Sequence, residues 1–196
     1  MGVLRALADV VLIGAGVLQA SPKGTWQAEH IFPPAADAYA ALRANLGLPP
    51  SPEIAVVCGW GHIDPDHPVL RGRALVLTSD RGATRLEGRL PDTAVVVSLG
   101  RQLRFTGDMI IGALRARGHR RILSEAGPHT FGSLLRSKQV DELFLTTSPF
   151  LAGDAGEGSR LRLVETADLV PLVECRPLSL RRHGEHLFAR YALSGR

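Results

Sequence analysis

Four continuous apolar runs constrain the fold of this 196-residue chain more than any other feature. They occupy residues 10–13, 54–57, 74–77 and 94–97, and turn-forming or helical sequence separates them. Strands covered on both faces, as in parallel sheets, have such unbroken hydrophobicity, whereas half-exposed strands alternate. The alternation of strand and helix patterns predicts an α/β fold whose central sheet is mostly parallel and has helices on both faces.

Two of the intervening segments have helix signals. Residues 35–46 follow Pro33 and Pro34 and end before Gly47, which fits the preference for proline in the first turn and glycine after the last. Residues 108–117 repeat apolar residues on one helical face. We therefore predict helices over both ranges.

The C-terminal part has a different pattern. After the glycine-rich residues 153–158, the segments 170–180 and 186–193 flank the turn sequence of residues 182–185. This arrangement predicts an antiparallel hairpin that completes a mixed sheet and offers a surface for dimerisation. No linker to a second domain is evident, so we expect one domain over residues 1–196.

The strongest functional pattern is a strand, a small-residue loop, a helix and a second strand, in that order. Residues 122–123 enter the loop Ser124-Glu125-Ala126-Gly127-Pro128, an apolar helical face follows over residues 131–135, and residues 143–147 form the next strand pattern. A loop that precedes a helix presents unpaired N–H groups and the positive end of the helix dipole. We therefore predict an anion-binding loop, in which Gly127 allows close approach of a phosphate.

A second glycine turn, Gly14-Ala15-Gly16, follows the first apolar run. It resembles the start of a dinucleotide-binding fingerprint, but Gln19 stands where the third glycine would fall. The local sequence leaves two interpretations, a ligand contact and a tight turn after a buried strand, and it favours the turn.

Two further loops contain residues that suit ligands. Residues 78–82, Thr-Ser-Asp-Arg-Gly, could hold a phosphate through hydroxyls and the arginine, or form an ordinary solvated turn. The loop of residues 59–68 carries four side chains that could bind a metal, but its glycines and prolines favour a polar surface turn. Those four side chains are His62, Asp64, Asp66 and His67.

Composition bounds the remaining classes of function. The net charge is +4 and the pI is about 9.7, but the basic residues are scattered and no aromatic platform accompanies them, which argues against nucleic-acid binding. Neither a membrane span nor a signal peptide is evident, so we expect a cytoplasmic protein with no membrane partner. Cys58 and Cys175 lack the spacing of a metal or redox motif.

Three ordered segments together carry a resemblance to a known family. They are residues 4–16, LRALADVVLIGAG, residues 122–128, ILSEAGP, and residues 140–149, which contain Val140-Asp141-Glu142-Leu143 and Ser148-Pro149. In this order they resemble the reductase domain of bacterial riboflavin biosynthesis, which has a dihydrofolate-reductase-like, three-layer fold. The resemblance implies NADPH-dependent hydride transfer to the ribosyl part of a ribosylaminopyrimidine phosphate, in a homodimer.

The resemblance also implies roles for individual residues. Glu125 matches the acidic residue that contacts the substrate, and it is the candidate catalytic residue. The candidate cofactor-binding residues are Gly14, Gly16, Val17, Ser21, Thr78, Ser79, Gly127, Pro128, His129, Thr130, Phe131, Gly132 and Ser133. No metal is implied. Because the nicotinamide supplies the hydride, the protein mainly binds, orients and excludes water.

The sequence departs from the family pattern at several positions. Ala126 replaces a glycine, Val17 replaces a threonine, and Ser21 replaces an aspartate that contacts the cofactor. The family's first strand, with its Ser-x-Asp-Gly substrate motif, precedes the part that matches, so we expect a domain truncated at its N-terminus. The alternatives are a reductase for another substrate and a nucleotide-binding or dimerisation module without catalysis.

Overall fold

The computed structural model describes residues 1–151 and 162–193. Contacts within the chain divide it into two compact units. The first comprises Met1–Phe105 and Met109–Gly127, and the second comprises Thr106–Asp108 and Pro128–Arg196. The single domain over residues 1–196 stays a prediction, and the glycine-rich residues 153–158 lie outside the described part of the chain.

The first unit contains a five-stranded parallel sheet, which confirms the predicted architecture. Its strand order is β4-β3-β2-β1-β5, and each neighbouring pair is parallel. The strands are β1 (Val10–Gly14), β2 (Glu53–Val57), β3 (Ala74–Thr78), β4 (Ala94–Ser98) and β5 (Ile122–Ser124).

Helices connect the strands, as the sequence predicts. The helix expected over residues 35–46 spans residues 36–45 after a 3₁₀ turn at Pro33–Ala35, and the helix expected over 108–117 spans residues 107–116. A second 3₁₀ turn occupies Pro68–Arg71. The helices are α1 (Gly2–Leu7), α2 (Ala15–Ala20), α3 (Ala36–Asn45), α4 (Asp80–Leu86), α5 (Gly107–Ala116) and α6 (Pro128–Arg136).

The apolar core of the first unit covers the central strands on both faces. Residues 10–13 of β1 and 74–77 of β3 are completely buried, and residues 54–56 of β2 are nearly so. This burial explains their unbroken hydrophobicity. The strand β4 differs because it lies at the sheet edge, where Val95 remains exposed.

The second unit contains a three-stranded antiparallel sheet in the order β6-β8-β7. Its strands are β6 (Glu142–Thr147), β7 (Cys175–His183) and β8 (His186–Leu193). The predicted C-terminal hairpin is confirmed, but the prediction that it completes a mixed sheet is wrong for the described strands. The reason is that β8 pairs along its length with β6, which makes a separate sheet.

Asp9 fixes the amino ends of the central strands. Its backbone N–H donates to the Arg121 carbonyl at 2.9 Å, and its carbonyl accepts from the Glu53 N–H at 3.1 Å. Its carboxylate oxygen Oδ2 accepts from the N–H groups of Arg120 and Arg121 at 2.6 and 2.7 Å. Asp9 therefore aligns β5 beside β1 at the position that directly precedes their first paired residues, Val10 and Ile122.

The same contacts change the acidity of Asp9. Burial would raise the pKa of this carboxyl, but the N–H groups of Arg121 and Arg120, with the charges of Arg121 and His119, hold the pKa below its usual value. A depressed folded-state pKa contributes stability above the unfolded-state pKa, and this stability is lost as the pH falls through the folded-state value.

None of the helices in the described ranges is both long and apolar enough to span a membrane.

We expect Asp9→Asn to lower the free energy of unfolding by about 1 to 2 kcal/mol at pH 7, because the amide is a weaker acceptor than a carboxylate. The difference from the wild-type protein should shrink as the pH falls below about 4. Urea unfolding at pH 7 and pH 3 measures both values. Asp92→Asn, at an exposed position, is the control, and a pH-independent difference would contradict this account.

Candidate active site

The order of strands in the first unit creates one position where a ligand crevice is expected. From β1 the chain continues through β2, β3 and β4 on one side, and then returns to place β5 on the other side of β1. Ligands of open α/β sheets bind beyond the carboxyl ends of the strands at such a switch point. The loops that leave β1 and β5 border this crevice.

The loop after β1 leaves open space around Gly16. Gly14 ends the strand and α2 begins at Ala15. A Cβ built on Gly16 would meet no atom within 4 Å. Val17 is partly buried and packs against the core, and the Ser21 carbonyl accepts from the Gly24 N–H at 2.8 Å. The glycine turn therefore leaves room for a ligand, and the contacts of Val17 and Ser21 with a cofactor stay a prediction.

The loop after β5 lies on the other side of the crevice. The backbone N–H of Glu125 donates to the Leu12 carbonyl at 2.9 Å, which fixes the start of the loop against β1. A Cβ on Gly127 would meet only Val17 Cγ2, at 3.9 Å. The space at Gly16 and Gly127 is thus consistent with a bound group between these two loops.

Glu125 forms a bidentate ion pair with Arg5 at this crevice. Arg5 Nε donates to Oε1 and Arg5 Nη2 donates to Oε2, each at 2.7 Å. The two side chains are only 11% and 15% exposed. Two parallel charge-assisted hydrogen bonds fix both the position and the plane of the carboxylate. Glu125 is therefore a hydrogen-bond acceptor with one defined orientation.

Arg5 is a functional candidate that sequence reasoning missed. It lies in α1 between apolar neighbours, where a charged side chain requires a partner. Its Nη1 donates to the Gln27 carbonyl at 3.2 Å, and its own carbonyl accepts from Arg43 Nη1 at 3.3 Å. A single arginine among apolar residues indicates a buried charge that needs a partner. The sequence does not identify that partner, because Glu125 lies 120 residues away.

Arg43 anchors the helix that carries Arg5. Besides its contact with the Arg5 carbonyl, Arg43 Nη1 donates to the carbonyls of Ala6 and Ala8 at 3.0 and 2.9 Å, and Nε donates to the Pro49 carbonyl at 2.6 Å. Burial lowers the pKa of the Arg43 guanidinium from its ordinary value. The Nη1 bonds reach carbonyls at the end of α1, where a helix leaves its last acceptors without later N–H groups, and the Arg5 carbonyl also accepts from the Ala8 N–H at 3.3 Å.

Thr78 and Ser79 are completely buried, and their hydroxyls bond to the protein itself. Thr78 Oγ1 donates to the Cys58 carbonyl at 2.6 Å, and Ser79 Oγ donates to the Gly59 carbonyl at 2.7 Å. Ser79 Oγ also accepts from the Gly82 N–H at 3.0 Å and so caps α4. Their contact with a cofactor stays a prediction, and the hydroxyls already have other partners.

The remaining predicted cofactor residues lie in the second unit, in the first two turns of α6. Pro128 begins the helix, as proline at this position favours. The Pro128 carbonyl accepts from the Glu165 N–H at 3.2 Å, and His129 Nδ1 lies 3.1 Å from Thr166 Oγ1. Thr130, Phe131 and Ser133 are half-buried.

Gly132 is buried by the segment that crosses α6. A Cβ there would lie 2.7 Å from the Glu165 carbonyl oxygen and 2.9 Å from Ala167 Cβ. The glycine is therefore required for packing within the second unit. Its predicted contact with the cofactor stays untested.

Three of the four side chains of the possible metal loop have separate partners, and among them His62 Nε2 lies 2.6 Å from Arg85 Nη1. His67 is buried, where Nδ1 accepts from the Val69 N–H at 3.2 Å and Nε2 contacts the Ser21 carbonyl at 3.1 Å. Asp64 accepts from the Asp66 N–H at 3.0 Å, in a local turn. In the described residues, no three potential ligands group together as a metal site would require.

Comparison with known proteins places the chain in context. The family model of the RibD C-terminal domain matches residues 1–187. No curated protein matches the sequence.

Several solved structures share the fold. A pyrimidine reductase-like protein from Corynebacterium diphtheriae is 22% identical, with a TM-score of 0.78, and the match covers 98% of this chain and 79% of that protein. A diaminohydroxyphosphoribosylaminopyrimidine deaminase/5-amino-6-(5-phosphoribosylamino)uracil reductase from Thermotoga maritima is 16% identical, with a TM-score of 0.67. That match covers 98% of this chain but only 47% of the bacterial protein.

The riboflavin biosynthesis reductase Rib7 of Saccharomyces cerevisiae is 13% identical, with a TM-score of 0.71. The match covers 98% of this chain and 78% of the yeast protein. At these identities the three structures support the fold of the chain.

The contributions of Arg5 and Glu125 to the free energy of unfolding should depend strongly on each other, because the two side chains form an ion pair. We expect Arg5→Met and Glu125→Met each to lower the free energy of unfolding by roughly 2 to 4 kcal/mol, because each leaves a largely buried charge without its partner. The double variant should cost less than the sum of the two by more than about 1 kcal/mol. Urea unfolding of all four proteins completes the cycle.

The exposed pair of Arg190 and Glu142 is the matched control, because it is also bidentate, at 2.8 and 2.6 Å. Glu142→Met should change stability little, since water screens an exposed pair. Additive effects of the Arg5 and Glu125 variants would show that the two side chains are not coupled.

Proposed function

Because this chain belongs to the family of RibD C-terminal domains, we propose that it is a reductase of riboflavin biosynthesis. It uses NADPH to reduce the ribosyl part of a ribosylaminopyrimidine phosphate to the ribitylamino product. The observation that carries the proposal is the family match over residues 1–187. The names of the structural relatives support it, since they describe a pyrimidine reductase-like protein, a phosphoribosylaminouracil reductase and a riboflavin biosynthesis reductase.

We place the nicotinamide cofactor in the crevice between the β1 and β5 loops. Gly14, Gly16 and Gly127 border it, and the space at the last two is free of protein atoms where a Cβ would stand. NADPH supplies the hydride when it is bound. The chain contributes the site itself, because the strand ends and glycine turns hold the reactants in one orientation.

Glu125 serves the substrate in this proposal. After its two bonds to Arg5, each carboxylate oxygen retains acceptor capacity. A substrate hydroxyl or amine can therefore donate to an oxygen whose position is already fixed, so little ordering is required at binding. The role of Glu125 is to orient the substrate, and Arg5 positions Glu125.

A second candidate is a nicotinamide-binding protein that does not carry out this reduction. One observation favours it, namely that Arg5 already engages both oxygens of Glu125. Spectrophotometric assay of NADPH oxidation with ribosylaminopyrimidine phosphates, pteridines and simple carbonyls separates the two. NADPH binding without NADPH oxidation in the presence of any of these substrates would support the second candidate.

The proposed reaction also implies a cytoplasmic location, which cell fractionation tests.

We expect Glu125→Gln and Gly127→Val to affect different ligands. Glu125→Gln should lower kcat/KM for the substrate by about tenfold or more, because a charged acceptor is lost, while the Kd for NADPH changes little. Gly127→Val should raise the Kd for NADPH by about tenfold or more, because the side chain fills the space beside Val17. Calorimetry and initial rates measure the two effects.

Gly112→Val is the matched control for the glycine substitution, because a Cβ at Gly112 also meets no atom within 4 Å but lies on α5. It should leave both ligands unaffected. If Glu125→Gln and Gly127→Val weaken cofactor and substrate equally while the fold is intact, the assignment of separate roles is wrong.

We also propose that the chain forms a homodimer through its antiparallel sheet. Every residue of β7 is exposed, including Leu180. Leu180 and Arg182 are two residues apart and so share one face of β7, and Leu187 of β8 pairs directly with Arg182. The exposed Leu187 side chain therefore lies on the same face of the sheet as Leu180. Apolar side chains exposed together on a sheet face mark a protein interface. The isologous contact of a two-fold dimer would cover this face in both copies.

We expect Leu180→Asp to convert the dimer to a monomer, because a buried carboxylate without a partner opposes association. Arg181→Gln, on the opposite face of β7, should leave the dimer unchanged. Light scattering coupled to size-exclusion chromatography measures the mass, with circular dichroism as the test of folding. A monomeric wild-type protein at micromolar concentration would refute the proposed dimer.

A further inference from the structure

The turn between α5 and β5 has a fixed backbone. Gly118 adopts the left-handed conformation, with a φ of 90°. Its N–H donates to the Arg115 carbonyl at 2.9 Å, and the His119 N–H donates to the Leu114 carbonyl at 3.2 Å. This pair of bonds is a Schellman motif, which ends a helix at a defined residue. The side chains on either side of Gly118 therefore have set positions relative to α5.

A surface depression lies at this turn, and we call it the α5–β5 cleft. Its volume is about 390 Å³, and it is lined by Arg115, Gly118, His119 and Arg120. Both arginines are exposed, whereas His119 is only 9% exposed. A depression of this size can hold a small molecule, since ligand pockets typically measure about 300 to 1,000 Å³.

Two acidic side chains near the cleft already have other partners. Glu53 Oε2 lies 2.7 Å from His119 Nε2, and the side chains of this pair are 9% and 10% exposed. The Asp9 carboxylate accepts from two backbone N–H groups and lies 3.6 Å from Arg121 Nε. Neither carboxylate forms an ion pair with the arginines that line the cleft.

The basic side chains of the cleft retain hydrogen-bonding capacity. In the described part of the chain, neither Arg115 nor Arg120 has a carboxylate at salt-bridge distance. His119 uses Nε2 for Glu53, and its Nδ1 has no partner among the same residues. Because Arg43 Nη2 is the one unpaired side-chain atom there that is fully buried, His119 Nδ1 is accessible to solvent.

These three groups together suit a phosphate. Each guanidinium presents a planar pair of donors that matches phosphate oxygens. A protonated His119 donates from Nδ1 to an anion while it donates from Nε2 to Glu53. The cleft therefore offers donors from three side chains, of which one is held in place by a buried carboxylate.

The α5–β5 cleft and the crevice lie at opposite ends of the parallel sheet. The residues of the cleft precede β5, whereas Glu125 and Gly127 follow it. The neighbouring strand β1 runs in the same direction and has five residues. At about 3.3 Å for each residue, the two ends of the sheet are roughly 16 Å apart. One phosphate group cannot contact both places.

We propose that the α5–β5 cleft is a second anion site, which binds the phosphate group of a small phosphorylated ligand. Arg115 and Arg120 bind the phosphate oxygens, and His119 donates to them from Nδ1. Since the Arg120 N–H also bonds the Asp9 carboxylate, the ligand reinforces the start of β5. The inference does not depend on the cofactor or the reaction proposed above.

The helix dipole offers a structural explanation for one of the two arginines. A basic residue in the last turn complements the negative end of the dipole, and Arg115 has this position in α5. Arg120 lies beyond the turn, where this explanation does not apply. Arg117 is exposed at the end of the same helix but does not line the cleft. It is therefore the matched control.

Titration of the full chain with pyrophosphate, inorganic phosphate and ribose 5-phosphate tests the inference. The amide NMR signal of Gly118 should shift and saturate, which gives a Kd for this site alone. In the double variant Arg115→Gln, Arg120→Gln, the Kd of the tightest ligand should rise about tenfold or more, because charge-assisted hydrogen bonds are lost. In Arg117→Gln it should stay within about twofold, since an exposed charge outside the cleft is screened.

Gly127→Val separates the cleft from the crevice, where phosphate groups are also expected. This variant should keep the Gly118 response and its Kd, even if it loses NADPH. If the Gly118 signal does not respond to any of the three ligands at millimolar concentration, the inference is overturned. The same holds if the response disappears in Gly127→Val, or if the double variant and Arg117→Gln have equal effects.

The relative affinities identify the source of the phosphate. Tighter binding of ribose 5-phosphate than of inorganic phosphate supports a sugar phosphate as the ligand, and tightest binding of pyrophosphate supports a diphosphate. A short DNA duplex is the remaining comparison. If it binds more tightly than all three ligands and loses affinity in the double variant, the arginines contact nucleic acid, and the inference is overturned.

Discussion

The parallel pairing of β1 with β2 on one side and β5 on the other is the constraint on which the candidate site depends. It brings the glycine turn after β1 next to the loop after β5, although more than 100 residues separate them. Asp9 aligns the amino ends of these strands, and the ion pair of Arg5 and Glu125 lies near their carboxyl ends. A displacement of β5 would therefore alter the crevice and Glu125 together.

The buried strands could be predicted from the sequence within a residue or two, because burial on both faces leaves unbroken apolar runs at β1, β2 and β3. The helix at residues 36–45 followed from proline before it and glycine after it, and the helix at residues 107–116 followed from its apolar face. The pairing of the C-terminal hairpin with β6 could not be predicted. Apolar patterns reveal which segments are strands, but they do not specify which strand pairs with which.

The candidate site was predictable where the family resemblance supplied an order of motifs, and less so where individual side chains compete for partners. Glu125 stood out as an acidic residue in a small-residue loop, whereas its bond to Arg5 depends on contact between distant segments. Thr78 and Ser79 resemble ligand-binding hydroxyls in sequence, yet backbone carbonyls satisfy them. Sequence alone does not show which acceptor a hydroxyl reaches.

The position of β5 also has a consequence for synthesis of the chain. The strands β1 to β4 are neighbours in both sequence and space, so each can pair as it leaves the ribosome. The other edge of β1 has no strand to receive until residues 122–124 have been made. One edge of the buried strand β1 thus stays open until β5 has been made, and the pairing of Val10 with Ile122 closes a loop of more than 100 residues.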